Sequence, residues 1–220
     1  MIQEGDRIAV GVSGGKDSQT LLLAMRRLMD FYPTRYELKA VTISMGIGEP
    51  DFSQIAGLCK EIGVEYIIED TYIGKIVFED KQEDNPCSLC ANLRRGALNN
   101  TAVRLGCNKV ALAHNRDDVI ETLLLSIFYE GRIHSFSPVT YLDRKEITVI
   151  RPLIYVEEKK IKAFVRDQHL QIVHNPCPAN GHTKRQFIKE LLMDLTADNR
   201  EIKNNIFGAI KRSGLDGWHE

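Results

Sequence analysis

Apolar positions along the chain come in short runs that alternate with stretches of helical period. The largely apolar runs Ile8 to Val12, Glu37 to Ser44, Val64 to Glu69, Lys109 to Ala113 and Ile147 to Ile150 predict strands, most of them covered on both faces. Between them, Leu21, Leu22, Met25 and Leu28, the segment around Phe52 to Ile62, and the stretches Asp117 to Tyr129 and Val156 to Val165 place apolar residues at helical spacing. Strands and helices in alternation predict an α/β fold: a Rossmann-like, mostly parallel five-stranded sheet with helices on both faces. Residues Glu130 to Lys145 read as a loop or loose hairpin, and Asp194 to Glu220 have helical character. A catalytic domain over residues 1–195, with an inserted cysteine-containing segment, is expected to carry residues 196–220 as a helical tail packed on it.

In such a sheet the carboxyl ends of the strands share one edge. The loop at Ser13, the end of the second strand near Ser44 and Met45, and His114 after the fourth strand are therefore expected to face one nucleotide.

Composition narrows the choice of partners. The 220 residues, 43% of them hydrophobic, suffice for one full core. Lys and Arg total 29 against 30 Asp and Glu, so no global basic field draws in DNA or RNA, and any RNA contact must be local. Asp6 and Arg7 interrupt the first apolar stretch and no long apolar run follows, which predicts a cytoplasmic protein without membrane attachment. Five cysteines in that setting point to metal or thiol chemistry, not to a disulfide framework.

The sharpest local signal is Ser13-Gly14-Gly15-Lys16-Asp17-Ser18, between the first apolar strand and the first helical stretch. Backbone donors and the Ser13 and Ser18 hydroxyls at a helix start suit a pyrophosphate, with Lys16 neutralising charge and Asp17 placed to share Mg²⁺ with the phosphates. The run is not a Walker A loop: Val10 stands where that loop has its first glycine, and Asp17 follows the lysine.

A second signal is Cys87-Ser88-Leu89-Cys90, followed by a basic helical pattern that includes Arg94 and Arg95. Two thiolates at this spacing can reach one metal or cluster, or form a redox dithiol, or merely stand three apart, and Cys177, in Asn175-Pro176-Cys177-Pro178, supplies a third cysteine. Three thiolates suit an iron–sulfur cluster with one open iron, or zinc completed by water or by a histidine such as His174 or His182. Cys59 and Cys107 lie in apolar surroundings and read as packed residues.

The third signal is His114-Asn115-Arg116-Asp117-Asp118, with Glu121 and Thr122 beyond it. His114 at a strand end is placed to meet the nucleotide. Asp118 is a candidate contact beside it, and one aspartate is expected to cap the helix. Arg116 or His114 offers positive charge where pyrophosphate would form. Arg94, Arg95, Arg132, Lys184 and Arg185 are candidate contacts to RNA phosphates around the two cysteine segments.

The loop at Ser13 resembles that of the N-type ATP pyrophosphatases, or PP-loop superfamily, whose adenine nucleotide alpha hydrolase-like fold cleaves ATP between its α and β phosphates. Together with Cys87-Ser88-Leu89-Cys90, Leu93-Arg94-Arg95-Gly96, His114 to Asp118, Glu121-Thr122-Leu123, Ile150-Arg151-Pro152-Leu153, Pro176-Cys177 and Arg185-Gln186, it resembles the 2-thiocytidine tRNA biosynthesis family over roughly residues 5 to 195. The resemblance implies ATP and Mg²⁺ as cofactors, adenylation of a cytidine C2 oxygen in tRNA and its replacement by sulfur. It also implies a [4Fe-4S] cluster on Cys87, Cys90 and Cys177, Asp17 as the magnesium ligand, and Lys16, Asp17 and His114 as catalytic residues. A sulfur-donor protein such as a cysteine desulfurase and a homodimer are implied with it. The chain departs from the family pattern at Asn115, in place of the second of two histidines, and at Asn180, in place of a fourth cysteine. Two other readings stay open on the residues: a zinc-containing ATP pyrophosphatase acting on another carbonyl, and a non-catalytic RNA-interaction protein controlled by ATP.

Overall fold

The computed structural model describes residues 1–48, 51–80, 86–173, 183–215 and 217–218. Strands β1 (Asp6–Gly11), β2 (Tyr36–Ser44), β3 (Glu65–Asp70), β4 (Lys109–Ala111), β5 (Val139–Leu142) and β6 (Ile147–Ile150) form one sheet in the order β3-β2-β1-β4-β6-β5. Every neighbouring pair is parallel except β5 with β6. The chain winds outward from β1 to β2 and β3 on one side and resumes at β4 on the other. The topological switch therefore lies between β1 and β4, where a crevice opens beyond the strand ends.

The helices are α1 (Lys16–Leu28), α2 (Ser53–Ile62), α3 (Ile73–Lys75), which runs on as a π-helical turn at Ile76–Asp80, α4 (Pro86–Arg104), α5 (Arg116–Glu130), α6 (Glu158–Asp167), α7 (Lys184–Asp198) and α8 (Ile202–Arg212). Alternation of side chains along a strand decides which of them each face meets. Ile8 and Val10 pack with Leu21, Leu22, Met25, Ile55 and Ile161, so α1, α2 and α6 cover one face. Ala9, Val41, Val110 and Val149 turn the other way, against Leu98 and Ala102 of α4. A third cluster joins Val119 and Ile120 of α5 to Ile188, Leu192, Phe207, Ile210 and Trp218.

The mostly parallel α/β sheet covered on both faces agrees with the sequence reading, but it has six strands where five are expected. The additional strand, β5, lies inside the segment read as a loop or loose hairpin and pairs antiparallel with β6 through the turn Asp143–Lys145. Its residues alternate between exposed and half-buried, so an edge strand here lacks the apolar run that marks the others.

The two ends of the sheet differ in chemistry. At the amino ends of the strands, Asp6 and Lys109 form a buried pair at 2.7 Å, with Asn108 Nδ2 and the Gln3 amide also donating to Asp6. Burial opposes ionisation of Asp6, yet these donors hold its carboxyl below the usual range. All partners are satisfied, so the pair is structural. Cys59 and Cys107 are buried in the core, and burial pushes the Cys59 thiol up to about 11.

Candidate active site

At the carboxyl end of β1 the backbone turns through Ser13-Gly14-Gly15 into α1. Ser18 closes the loop from inside: its hydroxyl donates to the Gly15 carbonyl at 3.0 Å and accepts from the Ser13 amide at 3.1 Å. Gly14 has φ +80°, and a Cβ there would lie 2.6 Å from Val173 Cβ, so only glycine fits without rearrangement. Its carbonyl accepts from the Val173 amide at 3.1 Å and from Gln19 Nε2 at 2.7 Å. Gly15 stands at the N-cap of α1 with no side-chain cap, which leaves the helix amino end for an anion.

A cavity of about 360 Å³ opens from this loop, between β1 and β4. Val41, Ile43, Leu98 and Leu112 give it apolar walls; Ser13, Gly15, Asp17, Ser18 and Asp118 line one side, and Arg94 and Arg95 of α4 the other. The volume and the mix of apolar walls with a few convergent polar groups suit a nucleotide. Ser44 lies outside this lining; it is buried at the end of β2, where its carbonyl accepts from the Thr71 amide and hydroxyl.

Asn115 organises the floor. Its side chain caps α5 by accepting from the Asp117 and Asp118 amides, while the Asp118 carboxylate accepts from the Asn115 backbone amide, which completes a capping box. Its Nδ2 donates to Asp17 at 3.0 Å. Burial raises the Asp118 carboxyl, and the Asp17 charge adds to that rise against the Asn115 amide and Arg185. Among the described residues no three His, Cys, Asp or Glu side chains converge as a metal site. Asp17 facing the phosphate loop still fits magnesium, which typically takes one or two carboxylates and completes its shell with phosphate oxygens and water.

Lys16 is drawn away from the cavity. Its ammonium lies 2.6 Å from Asp17 and 2.9 Å from Glu158 at the start of α6. Burial alone would raise the Glu158 carboxyl, but Lys16, Lys189 and Lys162 reverse this and bring it down to about 2. Ion pairs continue from Glu158 to Lys189 at 3.4 Å, from Lys189 to Glu121 at 3.7 Å, and from Glu121 to Arg185 at 3.0 Å.

His114 lines the cavity and stacks on Phe136 at 4.1 Å, but it does not supply the positive charge expected of it. Burial, with Arg151, Arg185 and Arg95 around it, holds its imidazole down to about 3, so it is neutral at physiological pH. Arg116 supplies none either. Its guanidinium turns to Asn204 at 3.0 Å and Glu157 at 3.7 Å, outside the lining of the cavity. Arg94 and Arg95 are the cations that line it.

Cys87 and Cys90 sit on the first turn of α4, which starts at Pro86 and so includes the pair itself. Spacing of three places both thiols on one helix face. Cys87 is exposed, Cys90 half-buried with its sulfur 3.6 Å from Met45 Sδ, and neither is in a disulfide. Two unbridged thiols one turn apart at a helix start fit ligation of a metal or cluster. Cys177, His174 and His182, with Asn180, lie outside the described residues.

The remaining basic candidates separate. Arg132 is exposed and paired with Glu130 at 2.6 Å, and the Lys184 ammonium lies over the Tyr129 ring at 4.5 Å. Arg185, expected on RNA, donates to Glu121 and Thr122 because the buried Glu121 carboxylate needs a partner. The sequence reading assigned no individual role to Arg151 or Glu158. An arginine directly after the apolar strand Ile147–Ile150 is the signal that points to Arg151 at the sheet edge; Glu158 is masked by the lysines that follow it.

The sequence pattern of PP-loop domains matches residues 2–196. The chain is 42% identical over 213 residues to a tRNA-cytidine(32) 2-sulfurtransferase of Geobacter sulfurreducens, covering 96% of this chain and 83% of that protein. It is 41% identical over 213 residues to the protein of the same name from Geobacter metallireducens, again over 96% and 83%. Among solved structures, the U34-tRNA thiolase NcsA from Methanococcus maripaludis with its [4Fe-4S] cluster shares the fold at TM-score 0.79 and 23% identity, over 98% of this chain and 74% of that one. With the phosphate loop, the paired cysteines and the capped α5 in place, the chain belongs to the PP-loop family and, within it, to the tRNA-cytidine(32) 2-sulfurtransferase family.

Proposed function

We propose that this protein is an ATP-dependent tRNA-cytidine 2-sulfurtransferase that adenylates the C2 oxygen of a cytidine in tRNA and replaces it with sulfur. The observation that carries the reading is the composition of one cavity. The phosphate loop forms one side, and α4, the helix that bears Cys87 and Cys90, forms the other through Arg94 and Arg95. Nucleotide activation and sulfur delivery thus have adjoining sites.

In this reading the amides of the Ser13-to-Ser18 loop and the amino end of α1 hold the phosphates, and Asp17 holds magnesium against them. Arg94 and Arg95 neutralise charge as the base oxygen attacks the α-phosphorus and pyrophosphate leaves. Apolar walls at Val41, Ile43, Leu98 and Leu112 keep water from the activated base. Sulfur then takes the place of the oxygen at C2, and AMP departs with that oxygen. A [4Fe-4S] cluster on Cys87, Cys90 and Cys177 supplies, when bound, an open iron for the incoming sulfur. Arg94 and Arg95 meet the tRNA nearest the reaction, with Arg132 and Lys184 further out. The reading takes the protein as cytoplasmic, served by a sulfur-donor protein and assembled as a homodimer, on its resemblance to the family.

Protein purified without oxygen tests the reading through its metal and its products. About four irons and four labile sulfides per chain, lost on replacement of Cys87 or Cys90 by Ala, together with tRNA-dependent AMP and pyrophosphate, are expected. Stoichiometric zinc without sulfide, or ATP binding with no AMP formed, contradicts it.

A further inference from the structure

Arg151 is 8% exposed and forms no ion pair with a described carboxylate. Its Nη1 donates to the Ser137 carbonyl at 2.6 Å and Thr140 Oγ1 at 3.1 Å, and its guanidinium lies over the Phe136 ring at 5.3 Å. Its Nε donates to His114 Nδ1 at 3.2 Å. A buried cation paired with no described carboxylate is costly, and here neutral acceptors and a ring face hold it in place.

Arginine has donors and no acceptor. Its Nε–H bond therefore requires Nδ1 of His114 to carry a lone pair, and the ring proton must reside on Nε2. A doubly protonated ring would set N–H against N–H and one cation against another. Arg95 and Arg185 add positive charge around the same imidazole, and stacking on Phe136 fixes its plane. Nε2 bonds to no described group.

We propose that Arg151 is a positioning residue that locks His114 in the Nε2–H form, so that His114 presents a neutral hydrogen-bond donor to an oxygen of the substrate or of the α-phosphate in the cavity. The choice of that oxygen rests on the sulfurtransferase reading; the locked tautomer does not. His114 then stabilises charge on oxygen without giving up its proton, and the rate of adenylation carries no ionisation from it.

The test is the ¹⁵N spectrum of the histidines in the full-length protein without ATP or tRNA, with His114 assigned from the signals lost in His114→Gln. The expected wild-type result is a protonated Nε2, an unprotonated Nδ1 and no titration between about pH 5 and pH 8. In Arg151→Met the ring is expected to populate both tautomers, while burial keeps it neutral over that range. AMP formation at saturating ATP should fall by about tenfold or more while KM for ATP changes little. A wild-type ring protonated at Nδ1 or titrating near neutrality overturns the proposal even if Arg151→Met does not fold. A folded Arg151→Met whose His114 keeps the single Nε2–H tautomer overturns it as well. Because the spectrum needs no substrate, failure of the sulfurtransferase assay leaves this result standing on its own.

Discussion

Lys16 sits where the charges of the site converge, held by Asp17 and Glu158 rather than turned into the cavity. Glu158 ionises more readily in the folded protein than in the unfolded chain, with its carboxyl brought from 4.5 to about 2. The stabilisation is therefore present above about pH 4.5 and is lost as the pH falls toward 2. Glu158→Gln is expected to cost on the order of 2 kcal/mol at neutral pH and almost nothing near pH 2, so its unfolding curve should vary less with acid than that of the wild type. Parallel pH dependences would show that the pair contributes no such linkage. A backbone test lies nearby: Gly14→Ala puts a Cβ on Val173 at φ +80° and should destabilise the protein by about 1–3 kcal/mol, read by thermal unfolding, with loss of ATP affinity. Lys16, Asp17 and Ser18 were legible in the sequence because they are contiguous and their chemistry is local. The pairing of Lys16 with Glu158, and of His114 with Arg151, was not, since each joins residues that only the sheet topology brings together.

At the scale of elements, α5 shows how one cap serves both fold and site. Asn115 satisfies the first amides of the helix and also fixes Asp17 through Nδ2. Asn115→Ala should cost about 1 kcal/mol of stability by chemical denaturation and weaken magnesium-dependent ATP binding more than magnesium-free binding. Equal weakening with and without magnesium would separate Asn115 from the metal. The sequence pattern marked the buried parallel strands to within two residues at each end, because residues covered on both faces must be apolar throughout. It missed β5, whose half-exposed residues leave no such trace. It also set the cysteine pair ahead of a helix when Pro86 starts that helix one residue before Cys87.

Across the whole molecule, Val173 is fastened to the nucleotide loop, and α7 to carboxylates of α5 and α6. Val173 bonds to Gly14; Arg185 and Lys189 of α7 bind Glu121, and Lys189 also reaches Glu158. Arg185 acts in this arrangement as a clamp. Arg185→Ala should destabilise the protein by about 1–3 kcal/mol, because the buried Glu121 loses its closest partner, and should leave the salt dependence of tRNA binding unchanged. Arg94→Ala and Arg95→Ala should each flatten that salt dependence. A flattened slope for Arg185→Ala would return that residue to the RNA surface. No described helix is long and apolar enough to cross a membrane.

The central claim is that the cavity between the phosphate loop and α4 activates a cytidine of tRNA for sulfur. Its most direct test is mass analysis of the nucleosides of tRNA incubated with anaerobically prepared protein, ATP, Mg²⁺ and a sulfide source. The account predicts 2-thiocytidine that appears only with ATP and disappears in Asp17→Asn and Cys90→Ala. Unmodified cytidine alongside ATP turnover, or sulfur on a different base, would contradict it.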